Sequence, residues 1–495
     1  MRTIRYTQVA AYLLLIAAYI ATRFWGLTDN CLWFDEIYSV HAAEHRWNEL
    51  FHFVAVDLIH PPLFYVILKI WIALGGESLL WLRLLPVGFS ILTIIPFRLV
   101  SGELKRSSMG LLGILLLTVN GSLLKYSQEV RMYSMLMCVS LFSFWLFLRY
   151  LNKGKSLGWL IVVNIVLVWT HYFAWFVVAG EVVTVLILDR EKWRQMFSMA
   201  TITTVTFLPW AWCILNVAGS GDLAQNIGWM PRPGPREIGI FLFNLIEPFY
   251  NQASSAERAT TYVVSIPLLL IALVVVTVYL SQWKQYPEDE KRSLTLLSIL
   301  ILLPVLAALV LSWLLPHSIW GTRHLIIVFA PAALLLAGCI SGSRQPAIRV
   351  ATVALVILFT GYSFVLWAGR PAPNNSWCAW GELAVGARDG GAKSLYVFED
   401  LAAYQAWFAV KDKSMEIVKV SGVDGITEDH AYFLPRGFDE VRGTSIDEIT
   451  EPTIWIAFRD RDLHEREPPL RNLLLNGYRP TLRGAVATSG ENVYL

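Results

Sequence analysis

Three short polar clusters interrupt an otherwise apolar chain, and their residue types suit a phosphate, a sugar and a proton transfer. The first is Trp33-Phe34-Asp35-Glu36, with two adjacent acids just after the first long apolar run. Ionisable groups near a bilayer are costly and tend to be functional, and a carboxylate against an apolar wall suits a general base. The plain alternative is a solvated acidic pair in a loop. The second cluster is His60-Pro61-Pro62, opening an apolar segment. An imidazole at a helix N-terminus sits where free N–H groups and the helix dipole favour an anion, although the prolines alone account for a helix-entry turn. The third is KYSQEVRMYS, residues 125–134. Lys125 and Arg131 suit a phosphate; Gln128 and Glu129 suit sugar hydroxyls, with Tyr133 beside them. Its alternative is a polar loop with an internal Glu129–Arg131 pair. Arg83, His171-Tyr172 and Arg323-His324 share the same face. Each alone reads as a snorkelling or capping residue. Together they place cations and hydrogen-bonding groups at one membrane depth. No P-loop, HExxH or GxSxG accompanies them. The set suits a substrate with a lipid tail in the membrane and a phosphate plus sugar at its surface.

The elements that must position these residues follow from composition. The chain of 495 residues is 56% hydrophobic and 16% charged. Soluble domains usually carry about 25% charged residues, so a solvated surface over this length is excluded. The net charge is +2 with no basic tract, so nucleic acid is not an expected partner, and membrane lipids are. The five cysteines form no CxxC, which argues against a zinc or thiol-redox motif. Apolar runs at roughly 8–25, 79–100, 109–124, 132–150, 157–170, 172–188, 196–216, 260–281, 293–315, 323–341 and 348–368 predict about eleven transmembrane helices. The first run is long for a signal peptide and reads as a retained span. Lys and Arg concentrate on one side, at Arg2/Arg5, Lys105/Arg106, Arg149/Lys153/Lys155, Arg190/Lys192/Arg194, Lys284/Lys291/Arg292 and Arg344/Arg349. The positive-inside rule makes that side cytoplasmic and puts the C-terminus outside. The segment 61–76 is short, opens with two prolines and carries Lys69, so it is expected to lie in the outer interface. Outer loops 27–78 and 217–259 follow, the first with two short amphipathic stretches. Residues 1–368 are therefore expected as the membrane domain. Residues 369–495 read as a small periplasmic α/β domain, with strands at SLYVFE, MEIVKV, TIWIAF and NVYL and helices near 377–388, 400–411 and 463–475.

WFDE, HPPLFY, LRLLPVGFS and SQEVRMYSM occur in that order. This ordered set resembles the bacterial protein-mannosyltransferase-like membrane glycosyltransferases of the GT-C superfamily, near glycosyltransferase family 39 and the aminoarabinose transferases. The resemblance covers roughly residues 8–340. It implies a GT-C-like helical membrane fold in the bacterial cytoplasmic (inner) membrane. It also implies inverting transfer of a sugar from a polyprenyl-phosphate donor to an acceptor on the periplasmic side, whether lipid, glycan or protein. The first-loop acid at the reaction centre maps to Asp35, with Glu36 beside it. The residue before the two prolines, which helps bind the lipid phosphate, maps to His60. The acid after the third span maps to Glu129; the Asp that some members carry further along that segment is absent here. Asp35, Glu36 and Glu129 are thus the expected catalytic acids, with Asp35 as the base. His60, Arg83, Gln128, Arg131, Tyr133, His171, Tyr172, Arg323 and His324 are the expected donor-phosphate and substrate residues, and Asp35, His60, Glu129 and Arg131 are expected to line one cavity. A divalent ion held by acids such as Asp35 and Glu129 remains an open option.

Two other classes compete. A flippase or transporter of a polyprenyl-linked sugar explains the spans and cations equally well, and calls for mid-membrane charges and repeated halves. Glu181 is the main mid-span charge and no repeat is apparent. A non-catalytic assembly subunit would have no need of the Asp35-Glu36 pair.

Overall fold

The computed structural model describes residues 2–104, 107–217, 230–249, 261–369, 376–411, 415–421, 434–435, 438, 440–459, 469–488 and 492–495. Lys105, Arg106, Arg370, most of the 217–259 loop and the start of the 463–475 helix lie outside them. The chain packs as two compact units. One comprises Met1–Leu27, His60–Asn216 and Met230–Arg370; the other comprises Thr28–Ile59, Val217–Trp229 and Pro371–Leu495. The sequence pattern grouped the first loop with the membrane part. By packing, residues 28–59 belong instead with the tail.

In chain order the helices are α1 Arg2–Phe24, α2 Phe34–Glu44, α3 Trp47–Asp57, α4 Leu63–Gly75, α5 Leu79–Leu92, α6 Ile94–Glu103, α7 Ser107–Val119, α8 Gly121–Gln128, α9 Tyr133–Lys153, α10 Leu157–Thr170, α11 Ala174–Leu188 and α12 Trp193–Val217. They continue as α13 Pro235–Ile246, α14 Ile266–Ser281, α15 Glu288–Leu314, α16 Phe329–Gly342, α17 Pro346–Ala368, α18 Ser376–Asp389, α19 Asp400–Val410 and α20 Pro469–Leu475. Among the described residues, seven helical stretches are long and apolar enough to cross a membrane, and five shorter apolar helices accompany them. The first unit is a multi-pass membrane domain.

Local chemistry sets the breaks that matter for the site. The apolar run 109–124 does not continue as one helix, because Asn120 ends α7 and starts α8. Its Oδ1 accepts the Leu123 N–H at 2.9 Å, and its Nδ2 donates to the Asn244 and Leu245 carbonyls at 3.0 and 3.1 Å. An N-cap asparagine satisfies a helix-end donor that no intrahelical partner reaches. Helix α4 has 13 residues, about 20 Å at 1.5 Å per residue, short of a hydrocarbon core of about 30 Å. It is clamped to α5 by Trp71 and Trp81, whose rings stack at 4.3 Å. Each indole Nε1–H donates to the other's carbonyl, at 2.7 and 2.8 Å. Mid-unit, Ser143 of α9, Asn164 of α10 and Glu181 of α11 close a fully buried polar ring with contacts of 2.5, 2.6 and 2.7 Å. Such a satisfied network fixes three apolar helices in register.

The second unit holds a six-stranded sheet of β1 Ser394–Val397, β2 Glu416–Ser421, β3 Arg442–Ser445, β4 Trp455–Arg459, β5 Ala485–Ala487 and β6 Asn492–Tyr494. The order is β3-β2-β1-β4-β6-β5; β3, β2, β1 and β4 are parallel, while β6 and β5 run antiparallel. Tyr396, Phe398, Val418, Val420, Ile446, Ile449 and Leu473 form its core. The four sequence-expected strands are present; β3 and β5 were not foreseen. Helices α2 and α3 pack within this unit, α2 against α19.

Candidate functional site

In the first unit, turns and helix ends bring together residues from four distant segments. His60 precedes α4, Arg131 lies between α8 and α9, His171 caps α10, and His324 opens a 3-10 turn, His324–Val328, that leads into α16. All four are buried. The His60 and His171 rings lie 5.1 Å apart, and His171 and His324 5.4 Å. Arg131 donates from Nη1 to the Tyr65 hydroxyl and from Nη2 to His60 Nδ1, both at 3.3 Å. Tyr133 borders the cluster, 6.3 Å from His171 between ring centres. Arg323, half-buried, adds positive potential that acts on both His60 and His171.

These surroundings fix protonation and tautomer. Burial first, then the neighbouring Arg131, His171, His324 and Arg323, hold the His60 pKa well below its ordinary value. Burial first, then His324, Arg131 and Arg323, do the same for His171. Both rings are therefore neutral near pH 7. A guanidinium only donates, so His60 Nδ1 accepts from Arg131 and its proton sits on Nε2. His171 Nδ1 accepts the Phe173 backbone N–H at 3.0 Å, so its proton also sits on Nε2. Both Nε2 atoms are buried without a hydrogen-bond partner among the described residues. Two N–H donors left unsatisfied in a cationic pocket lack an acceptor, and an oxyanion supplies one.

The same histidines invite a metal reading, since the ligand-capable atoms of His60, His171 and His324 lie within 4.8 Å of one another. The residues do not fit that reading. At His60 and His171 the Nδ1 lone pair is engaged and Nε2 carries hydrogen, so neither ring offers a lone pair, and two arginines already supply positive charge. Of the acids expected as ligands, Glu129 lies 3.7 Å from Lys125.

Several sequence-expected residues are committed to the fold. Gln128 Nε2 donates to the Arg23 and Trp25 carbonyls at 3.0 and 2.8 Å, tying α8 to the end of α1. Arg83 donates to the Leu27 carbonyl at 2.7 Å. The Tyr172 hydroxyl accepts from Trp210 Nε1 at 3.2 Å, facing α12. Arg131 donates to His60 and Tyr65, and Lys125 lies 3.7 Å from Glu129. Sequence reasoning singled out neither Tyr65 nor Phe173, although Tyr65 ends the quoted HPPLFY motif.

In the second unit, Asp35 and Glu36 occupy the first turn of α2 and differ in burial. Glu36 is 1% exposed and accepts the Trp33 backbone N–H at 3.0 Å, closing the helix start. Asp35 is half-exposed one position earlier. Around the middle of α2, buried His41 meets the Tyr404 hydroxyl at 2.9 Å. Burial, then His45 and Lys411, push its pKa down to about 3.

No protein-family model and no curated protein matches this chain. Its fold is similar to that of solved structures. ArnT from Cupriavidus metallidurans in the apo state is 12% identical with a TM-score of 0.58, covering 99% of this chain and 98% of that one. The same protein bound to undecaprenyl phosphate gives 12% identity and a TM-score of 0.55 over 98% and 97%. The archaeal oligosaccharyltransferase AglB from Archaeoglobus fulgidus is 12% identical with a TM-score of 0.48; this chain spans 64% of its length.

Proposed function

We propose that this protein is a membrane glycosyltransferase that moves a sugar from a polyprenyl-phosphate donor to an acceptor on the periplasmic side, with inversion. The observation that carries the reading is the pair of unsatisfied Nε2–H groups of His60 and His171 beside Arg131 and Arg323 in an apolar helical unit. It is a cradle for a phosphate borne on a lipid. The ArnT-like fold is consistent with it.

In the mechanism, the donor phosphate accepts hydrogen bonds from the two histidines and the guanidinium of Arg131. Asp35, the half-exposed acid of α2, takes the proton of the acceptor hydroxyl as its oxygen attacks the anomeric carbon. The bond to phosphate breaks, and the charge gained by the leaving polyprenyl phosphate falls on donors already oriented toward it. Glu36 holds the start of α2. The Cys31–Cys378 disulfide supports an outer location for residues 28–59 and the tail, because such bonds persist in oxidising compartments. The Lys/Arg asymmetry points the same way.

The transporter alternative would use a mid-membrane charge, and Glu181 is tied into the Ser143–Asn164 ring. The test is transfer from a synthetic polyprenyl-phosphate sugar by purified protein, together with lipid analysis of a deletion strain. Accumulated polyprenyl-phosphate sugar on the outer leaflet is the expected phenotype. Accumulation confined to the inner leaflet, with no transfer in vitro, would replace this reading by transport.

A further inference from the structure

The second unit joins a loop near the start of the chain to a domain at its end. Cys31 and Cys378 are bonded across 347 residues, with Cα atoms 5.5 Å apart. Cys31 lies three residues before α2, and Cys378 lies in the first turn of α18. The Gln405 amide of α19 donates to the Leu32 carbonyl at 2.9 Å. Phe34, the first residue of α2, packs edge-on to Tyr404 of α19 with centroids 5.2 Å apart. His41 meets the hydroxyl of the same tyrosine and lies 4.8 Å from the Trp407 ring. At the far end of α2, Glu44 is ion-paired with Lys411. The helix that carries Asp35 is thus bonded, hydrogen-bonded and packed along its length to α18 and α19. The remaining cysteines, Cys138, Cys213 and Cys339, form no disulfide.

We infer that the tail domain is the positioning scaffold of the acid-bearing helix α2, locked by the Cys31–Cys378 disulfide, so that turnover depends on the oxidation state of that pair. This rests on the transferase reading for its catalytic half. Closing the lock removes two protons and two electrons from the thiols and forms the Sγ–Sγ bond; a disulfide oxidant of the cell envelope takes them and is reduced to its dithiol. Opening it is the reverse exchange with a dithiol reductant, which leaves as its own disulfide. A covalent tie that closes so long a loop restricts the disconnected state most. Cys31, Cys378, Gln405 and Lys411 act through α2 and are positioning residues.

The experiment uses the full-length protein in detergent or nanodiscs. Oxidised protein, protein reduced by a dithiol, protein reoxidised after reduction, and Cys31→Ser/Cys378→Ser are compared in two readouts. The first is hydrogen exchange over residues 34–44; the second is the split of kcat against KM for the polyprenyl-phosphate sugar. Reduction and the double substitution should raise exchange in α2 and lower kcat about tenfold or more, with donor KM changed less than about twofold, and reoxidation should restore kcat in the wild type only. Gln405→Ala should move both readouts in the same direction by less, and serves where the double variant does not fold. Unchanged exchange in α2 on reduction overturns the scaffold. Raised exchange with full kcat overturns its link to turnover. Protein that transfers no sugar in any state refutes the transferase reading instead, and the exchange readout still decides whether the disulfide holds α2.

Discussion

Two polar sites, one in each unit, are built in opposite ways. In the first, His60 and His171 keep buried N–H groups unsatisfied, and each Nδ1 is engaged so that the donor has to face the pocket. In the second, Glu36 is satisfied by the backbone of its own helix, while Asp35, next to it, is half-exposed. A buried polar group without a partner costs free energy, so a fold retains one where a ligand completes it. A buried group with a partner holds structure. The contrast separates residues that meet a ligand from residues that only hold the frame, a distinction hidden when both are simply polar letters in apolar sequence. Gln128 and Tyr172, each hydrogen-bonded within the first unit, fall on the structural side by the same criterion.

The largest effect that would break this comparison is at Asp35. Asp35→Asn keeps the size and removes the charge and basicity, so transfer should fall by about 100-fold or more with little change in folding. Glu36→Gln still accepts the Trp33 N–H and should keep most activity. An inactive Glu36→Gln beside a fully active Asp35→Asn, in the same transfer assay, would exchange the two roles. Next is His60→Ala, which deletes one donor to the phosphate. A contact worth about 1–3 kcal/mol corresponds to about 5- to 150-fold in donor affinity. Titration with polyprenyl phosphate measures it, and wild-type affinity would remove His60 from the cradle.

The third effect is on stability. His41 has a folded pKa of about 3 against an ordinary 6.5. The unfolded chain therefore takes up a proton between those values and the folded unit does not. Stability from the neutral ring is fully present above about pH 6.5 and is lost as pH falls toward 3. Thermal melting from pH 7.5 to 4.5 should show the decline, and His41→Gln should flatten it; equal slopes would mean that other groups dominate. The smallest effect belongs to Gln128→Ala. It removes two hydrogen bonds to the end of α1 and should lower the melting temperature by a few degrees, with donor affinity within about twofold. A large loss of affinity would move Gln128 to the ligand side.

Much of this was legible in the sequence. Apolar runs of span length mark the membrane helices, because each must bury its backbone polarity within itself. Alternating apolar strands mark most of the tail's sheet. The strands that escaped notice, Arg442–Ser445 and Ala485–Ala487, are short edge strands with little alternation. The break at Asn120 was hidden because the apolar run continues across it; the asparagine signals a cap only once Asn244 is known to face it. The packing of residues 28–59 with the tail was also out of reach. It depends on contacts more than 340 residues away in sequence, and no spacing among five cysteines selects Cys31 with Cys378. His60, Arg131, His171 and His324 were each visible as a polar mark. That Arg131 donates to His60, and that backbone geometry sets the His171 tautomer, required coordinates.

The most direct test of the central claim, that neutral N–H donors and arginine hold a lipid phosphate here without a metal, is the affinity of purified protein for polyprenyl phosphate. It should be measured with and without a strong chelator, in wild type and in Arg131→Met. Wild-type protein should bind independently of the chelator, and Arg131→Met should lose about tenfold or more in affinity. Binding abolished by the chelator and restored by a divalent cation, with Arg131→Met unaffected, would contradict it.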